Sequence, residues 1–194
     1  MGEDESFGIA TAWLDTFGKA LADKDIKAFV DHFTPDGWLK DALVFGWDYR
    51  SLAGPDKIAT YLTEGNALQS SSITNVELDT REGLAPAPFQ IPSITPGIEL
   101  AFTFQAPAVF CRGFARLIPM APPNGGEWKA LTVYLMVDQV KGHEEAVNET
   151  GVYEGHTKPW SEVKAERQAA TEENPEAIIS ENLFVPMYFF LTCI

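Results

Sequence analysis

Few side chains in this 194-residue chain can do chemistry. His32 falls late on a segment with helical periodicity, where it can face a pocket mouth as an acid/base group or hydrogen-bond donor, or sit as a satisfied structural residue. His143 and His156 lie in polar segments without carboxylates at metal-ligand spacing and read as structural. Cys111 follows Val109 and Phe110, with no base or cation beside it to lower a thiol pKa, and reads as a buried structural cysteine. Arg112 and Arg116 share one strand face and are expected to pair with carboxylates of the acidic C-terminal region rather than with a substrate anion. What remains is recognition chemistry. Trp13, Trp38, Trp47, Phe102, Phe104, Phe110, Tyr134 and Met136 form a large aromatic and sulfur inventory, most of it core and the rest available to wall an apolar pocket. Glu99 and Thr103 alternate with the apolar set and belong either to that pocket or to the other sheet face.

Composition narrows the field further. With 45% hydrophobic and 22% charged residues, the chain reads as one globular domain with a sizeable core. Fourteen Lys+Arg against 28 Asp+Glu leave a net charge of −14, which repels nucleic acid and anionic membranes alike. Two cysteines, Cys111 and Cys193, are too few for a disulfide scaffold and fit a reducing compartment. The start, Met1 to Ser6, is acidic and lacks the features of a signal peptide, so a cytoplasmic location is expected. The apolar stretch Leu183 to Ile194 is interrupted by Pro186 and falls short of the roughly 20 residues that span a bilayer.

The elements that must position these residues follow from periodicity. Phe7, Ala10, Trp13, Leu14, Phe17, Ala20 and Leu21 mark one face of a first helix, with Ser6 placed to cap it. Asp25 caps a second, which carries Ile26, Phe29, Val30 and Phe33 inward until Pro35-Asp36-Gly37 stops it. Trp38 to Tyr49 reads as a strand or a bent pair of strands. Gly54-Pro55 opens a third helix with Ile58, Tyr61 and Leu62 on one side and Gly65 at its end. The period then changes to two. Ile73 to Asp79, Ile98 to Phe104, Pro107 to Ile118 and Trp128 to Val140 read as strands, the last three at hairpin spacing. Pro86, Pro88, Pro92 and Pro96 make the link before Ile98 a loop. On the last strand Leu131, Val133, Leu135 and Val137 face one way and Ala130, Tyr134 and Met136 the other, so both sheet faces are expected to be covered. Residues 1–144 are read as the domain and 145–194 as a polar extension, wrapped on it or partly disordered, with one helix from Ser161 to about Thr171.

Three helices before a curved antiparallel sheet resemble the α+β cone of SnoaL-like and nuclear-transport-factor-two-like domains. A closer resemblance lies in Asp36-Gly-Trp-Leu-Lys-Asp41, Phe45-Gly-Trp-Asp-Tyr49, Arg112-Gly-Phe-Ala-Arg-Leu-Ile118, Trp128-Lys-Ala-Leu-Thr132, Lys141-Gly-His-Glu-Glu145 and Trp160-Ser-Glu-Val-Lys-Ala-Glu-Arg167. These are similar to the cone that precedes the flavin-binding part of fungal flavin-containing monooxygenase-like proteins. In that family a Gly-rich dinucleotide turn would follow a string like Glu173-Asn-Pro-Glu-Ala-Ile-Ile179. Here Ser180-Glu-Asn-Leu-Phe-Val-Pro follows instead, so no flavin or nicotinamide cofactor is expected.

A similar cone in ketosteroid isomerases carries a carboxylate base on its first strand, and spacing from Asp25 puts Asp41 there. Aromatic walls would raise the pKa of such a carboxylate toward a useful value, unless Asp41 is a solvated turn residue or pairs with Lys40 or Arg50. The helix-one position that would bear an oxyanion-stabilising tyrosine is Phe17. Ketosteroid isomerase chemistry proper, in which the base works with an oxyanion hole, is thereby disfavoured.

Two functions follow. The first is a cofactor-independent cyclase or isomerase, including a Diels-Alder-type pericyclase, that holds an apolar polycyclic or isoprenoid-like intermediate in a reactive conformation. Asp41 and His32 would be its catalytic residues, and Trp13, Phe17, Trp38, Trp47, Glu99, Phe102, Tyr134 and Met136 its substrate-binding residues. The second is a non-catalytic binding module whose exposed sheet face makes a homodimer or holds another subunit.

Overall fold

A computed structural model of the chain describes residues 2–90, 96–121, 126–145 and 159–173. Met1–Glu145 and Ala146–Ile194 are separate compact units. The first contains α1 (Glu3–Ala22), α2 (Ile26–Asp31), β1 (Phe33–Ala42), β2 (Tyr49–Ala53), α3 (Pro55–Thr63), α4 (Ala67–Ser71), β3 (Thr74–Leu78), β4 (Ala87–Phe89), β5 (Gly97–Ala106), β6 (Val109–Pro119) and β7 (Trp128–Val140). In the second, the described residues form α5 (Trp160–Glu173). The remaining expectations for 145–194, together with His156, Cys193 and the stretch from Leu183, lie outside the described residues.

The strands make one sheet in the order β2-β1-β7-β6-β5-β3, with β4 also on β5. The expected α+β class, with N-terminal helices on a curved and mainly antiparallel sheet, is what forms. One pair departs from it: β1 runs parallel to β7, a contact between opposite ends of the domain that no local pattern signals.

Several boundaries differ from the sequence reading for identifiable reasons. Ser6 does not cap α1, which starts at Glu3; the Ser6 hydroxyl donates instead to the Gly2 carbonyl at 3.2 Å. Asp25 does cap α2, its Oδ1 accepting from the Ala28 N–H at 2.9 Å. That helix ends at Asp31, and Pro35-Asp36-Gly37 lies inside β1, at an irregularity in its pairing with β7 that accommodates the proline. Gly37 is needed there, since a Cβ would stand 2.9 Å from the carbonyl oxygens of Ala130 and Thr34. The expected strand from Trp38 to Tyr49 is the end of β1, a turn and the first residue of β2. The proline-rich link carries the short strand β4.

On β7 a register shift skips Leu131 between the pairs Arg116–Thr132 and Leu117–Ala130. The shift corrects the expected face pattern, because Ala130 turns into the core with Val133 and Leu135. Tyr134 and Met136 stay on the outer face.

The inner face packs on the helices through Phe17, Phe29, Phe102 and Phe104, with Leu21, Leu39, Ile58, Leu62, Leu68, Leu100 and Leu117, all at most 1% exposed. The cone interior is therefore filled by side chains, and open space lies at its margins.

Candidate functional site

Strand alternation turns Asp41 inward at the end of β1, where it is fully buried. Its Oδ1 accepts from the Val44 N–H at 3.0 Å, and its Oδ2 accepts from the Phe45 N–H at 3.1 Å and the Tyr61 hydroxyl at 2.7 Å. Burial pushes this carboxyl above its ordinary range, against the opposing pull of Tyr61 and the two N–H groups. Burial and the neighbouring carboxylate push the Tyr61 hydroxyl up in turn. Between Asp41 and its backbone donors, Leu43 has φ +71°, a left-handed conformation that costs energy for a branched side chain. The carboxylate thus fastens a strained turn to α3. Tyr61, but not Asp41, reaches an open groove of about 610 Å³ beside Phe45, Arg50 and Lys57. Sequence reading assigned Tyr61 only to the apolar face of α3; its hydroxyl on that face was the available signal.

His32 follows α2 as its C-terminal cap. Its Nδ1 lies 2.7 Å from the Ala28 carbonyl oxygen and its Nε2 3.0 Å from the Thr16 hydroxyl. A carbonyl only accepts, so Nδ1 carries the proton and Nε2 the lone pair. The rings of Trp13 and Phe17 meet the imidazole edge-on at 5.7 and 5.6 Å. Burial lowers its pKa below the ordinary 6.5, partly offset by the Ala28 carbonyl and Asp31, so the ring is neutral near pH 7.

Trp13, Thr16 and His32 line an open groove of about 820 Å³ between α1 and the start of β7, completed by Asp31, Trp128 and Lys129. Trp13 is 4% exposed, and its indole N–H has no partner among the described residues. Thr16, Trp128 and Lys129 were missed by the sequence reading. Thr16 stands three positions after Trp13 on the same helix, which was the one available signal.

The other anticipated residues do not gather at this groove. Phe17 stacks on Trp13 with centroids 4.6 Å apart and is, like Phe102, fully buried core beneath it. Trp38 and Trp47 are 48% and 98% exposed, because Trp38 points outward from β1 and Trp47 lies in the turn after it. Tyr134 and Met136 border a depression of about 140 Å³ on the outer sheet face, and the Lys40 ammonium lies 5.2 Å from the Tyr134 ring. Glu99 pairs with Arg116 at 3.3 Å and Arg112 with Asp138 at 3.0 Å. The arginine partners are thus cross-strand and same-face neighbours on the sheet rather than carboxylates of the C-terminal region. Cys111 is buried, which pushes its thiol up to about 12. No cluster of three metal-ligating side chains occurs among the described residues, and no described helix is long and apolar enough to cross a membrane.

No family model matches the chain, and no curated protein matches it. Its likenesses are to solved structures. The yeast UBP3-associated protein BRE5 is 12% identical, with a TM-score of 0.50 over 68% of this chain and 95% of that one. A protein from Catenulispora acidiphila is 14% identical, with a TM-score of 0.50 over 70% and 94%. A ketosteroid isomerase-like protein from Erwinia carotovora is 16% identical, with a TM-score of 0.47 over 70% and 98%. At these identities the likeness is one of fold.

Proposed function

We propose that the groove between α1 and β7 binds a planar, largely apolar carbonyl compound and that His32 moves a proton on it, as a cofactor-independent isomerase or cyclase. The observation that supports this most is the state of His32: neutral, held by Ala28, with its lone pair at the groove. A base in that state can remove a proton next to a carbonyl and return it elsewhere. The Thr16 hydroxyl, within reach of Nε2, relays it. Trp13 and Trp128 provide apolar wall, and the Lys129 ammonium stabilises negative charge that develops on the substrate oxygen. A polycyclic or isoprenoid-like intermediate folded against this wall would cyclise with little further help, including by a pericyclic route. On this reading Asp41 supports the architecture, Phe17 and Phe102 form the floor beneath the groove, and the protein works in the cytoplasm.

The test is proton exchange on 2-tetralone in D2O, followed by NMR. The protein accelerates exchange above buffer, His32→Gln abolishes the acceleration, and folded Asp41→Asn keeps it. Acceleration that survives in His32→Gln, or is lost in folded Asp41→Asn, overturns the assignment to His32.

A second reading is favoured by one observation. Trp38, Leu43, Trp47 and Tyr49, all exposed, are spread along β1, β2 and the turn between them, at the sheet edge. Such a surface suits a non-catalytic interaction module, a homodimer or a subunit contact. The outer-face residues Tyr134 and Met136, on the neighbouring strand β7, would border that contact, whereas Glu99 on β5 lies away from it.

A further inference from the structure

The charges around the His32 groove point to more than an apolar ligand. Three ionised side chains line it: Asp31 at the end of α2, Glu127 just before β7, and Lys129 on β7. None has an ion-pair partner among the described residues, and His32 is neutral, so the lining is negative by one charge. The whole chain carries −14, a field that concentrates cations and repels anions. Trp128, half-buried at the groove, has no aromatic or cationic partner over its ring among the described residues. An indole face beside unpaired carboxylates is the chemistry that recognises a flat cation. The Lys129 ammonium, the one cation among the described residues of the same lining, is the partner for an acceptor oxygen.

We infer that the ligand of this groove is a planar carbonyl compound bearing a positively charged nitrogen. Its cationic end is recognised by Asp31, Glu127 and the Trp128 ring, which leaves its oxygen to the one cation of the lining. The inference rests on the reading of the groove as a ligand site and adds the substrate class to it. Lys129 then sits on the oxygen side, and its charge keeps a doubly cationic ligand out.

The experiment is calorimetric titration of the full chain, at low ionic strength and pH 7.5, with three probes of one size. They are 3-acetylquinoline, its N-methyl cation 3-acetyl-1-methylquinolinium, and 2-naphthoate. The cation is expected to bind about ten-fold more tightly than the neutral ketone, the scale of a desolvated cation–aromatic contact. The Asp31→Asn/Glu127→Gln double variant is expected to bring the cation down to the affinity of the ketone. Both residues are exposed, so the variant keeps its fold, which circular dichroism checks. Equal affinity for cation and ketone overturns the inference and leaves the groove as a ligand site. So does a cation preference that the double variant retains, and so does tighter binding of naphthoate lost in Lys129→Met. Failure of all three probes to bind overturns the groove reading itself.

Discussion

A neutral histidine beside one acid and one ammonium is a titration that can be steered. Asp31 raises the His32 pKa and Lys129 lowers it, while burial holds the net value below 6.5. The unfolded chain therefore takes up this proton at a higher pH than the folded one. The stability contributed by neutral His32 is present above 6.5 and is lost as pH falls through the lower folded value. The acid limb of 2-tetralone exchange should inflect below 6.5, moving down in Asp31→Asn and up in Lys129→Met; pH–rate profiles check all three. Asp41 has the opposite sign. Its folded pKa lies above the ordinary 3.8, so its contribution is fully present below that value and declines as pH rises through the folded one. Removing the carboxylate, however, leaves two N–H groups and the Tyr61 hydroxyl without an acceptor. Asp41→Ala should cost about 3 kcal/mol and Tyr61→Phe about 1 kcal/mol in urea unfolding, the scale of buried polar groups left unpaired.

At the scale of elements, close approaches decide more than propensities do. Gly113 on β6 lies under the Phe102 ring of β5, its register partner, and an added Cβ would stand 2.1 Å from that ring. Phe102 is fully buried against Phe17 and Phe104 and has nowhere to turn. Gly113→Ala should therefore destabilise by about 2 kcal/mol, as overpacking of a filled core does, with thermal unfolding as the readout. The α1–α2 pair works in the same way for the site: Thr16, on one helix, meets His32 at the end of the other, so a shift in their packing separates base from relay.

The whole molecule combines a filled interior with strong net charge and an aromatic edge. Stability comes from the phenylalanine and leucine layer between helices and sheet, so ligands must be met at the margins. The edge formed by Trp38, Trp47 and Tyr49 remains in water unless another surface covers it. If it is a dimer contact, Trp38→Ser/Trp47→Ser should move the species seen by light scattering from dimer to monomer without loss of thermal stability. An unchanged mass removes that contact from consideration.

Much of the architecture was legible beforehand because its causes are local. The apolar face of α1, the Asp25 cap, Gly54-Pro55 at the start of α3 and the full extent of β7 all follow from periods and turn chemistry within a few residues. The α+β class and the aromatic, acidic character of the chain come from the same source. Only the tertiary structure decided where those residues meet. The parallel β1–β7 pair, the shift that turns Ala130 inward, the Tyr61 hydroxyl on Asp41 and the placement of Thr16 and Trp128 around His32 join segments far apart in sequence. Side-chain spacing along the chain gives the face on which a residue lies, whereas burial, protonation and partnership depend on the direction of approach of elements it does not touch covalently.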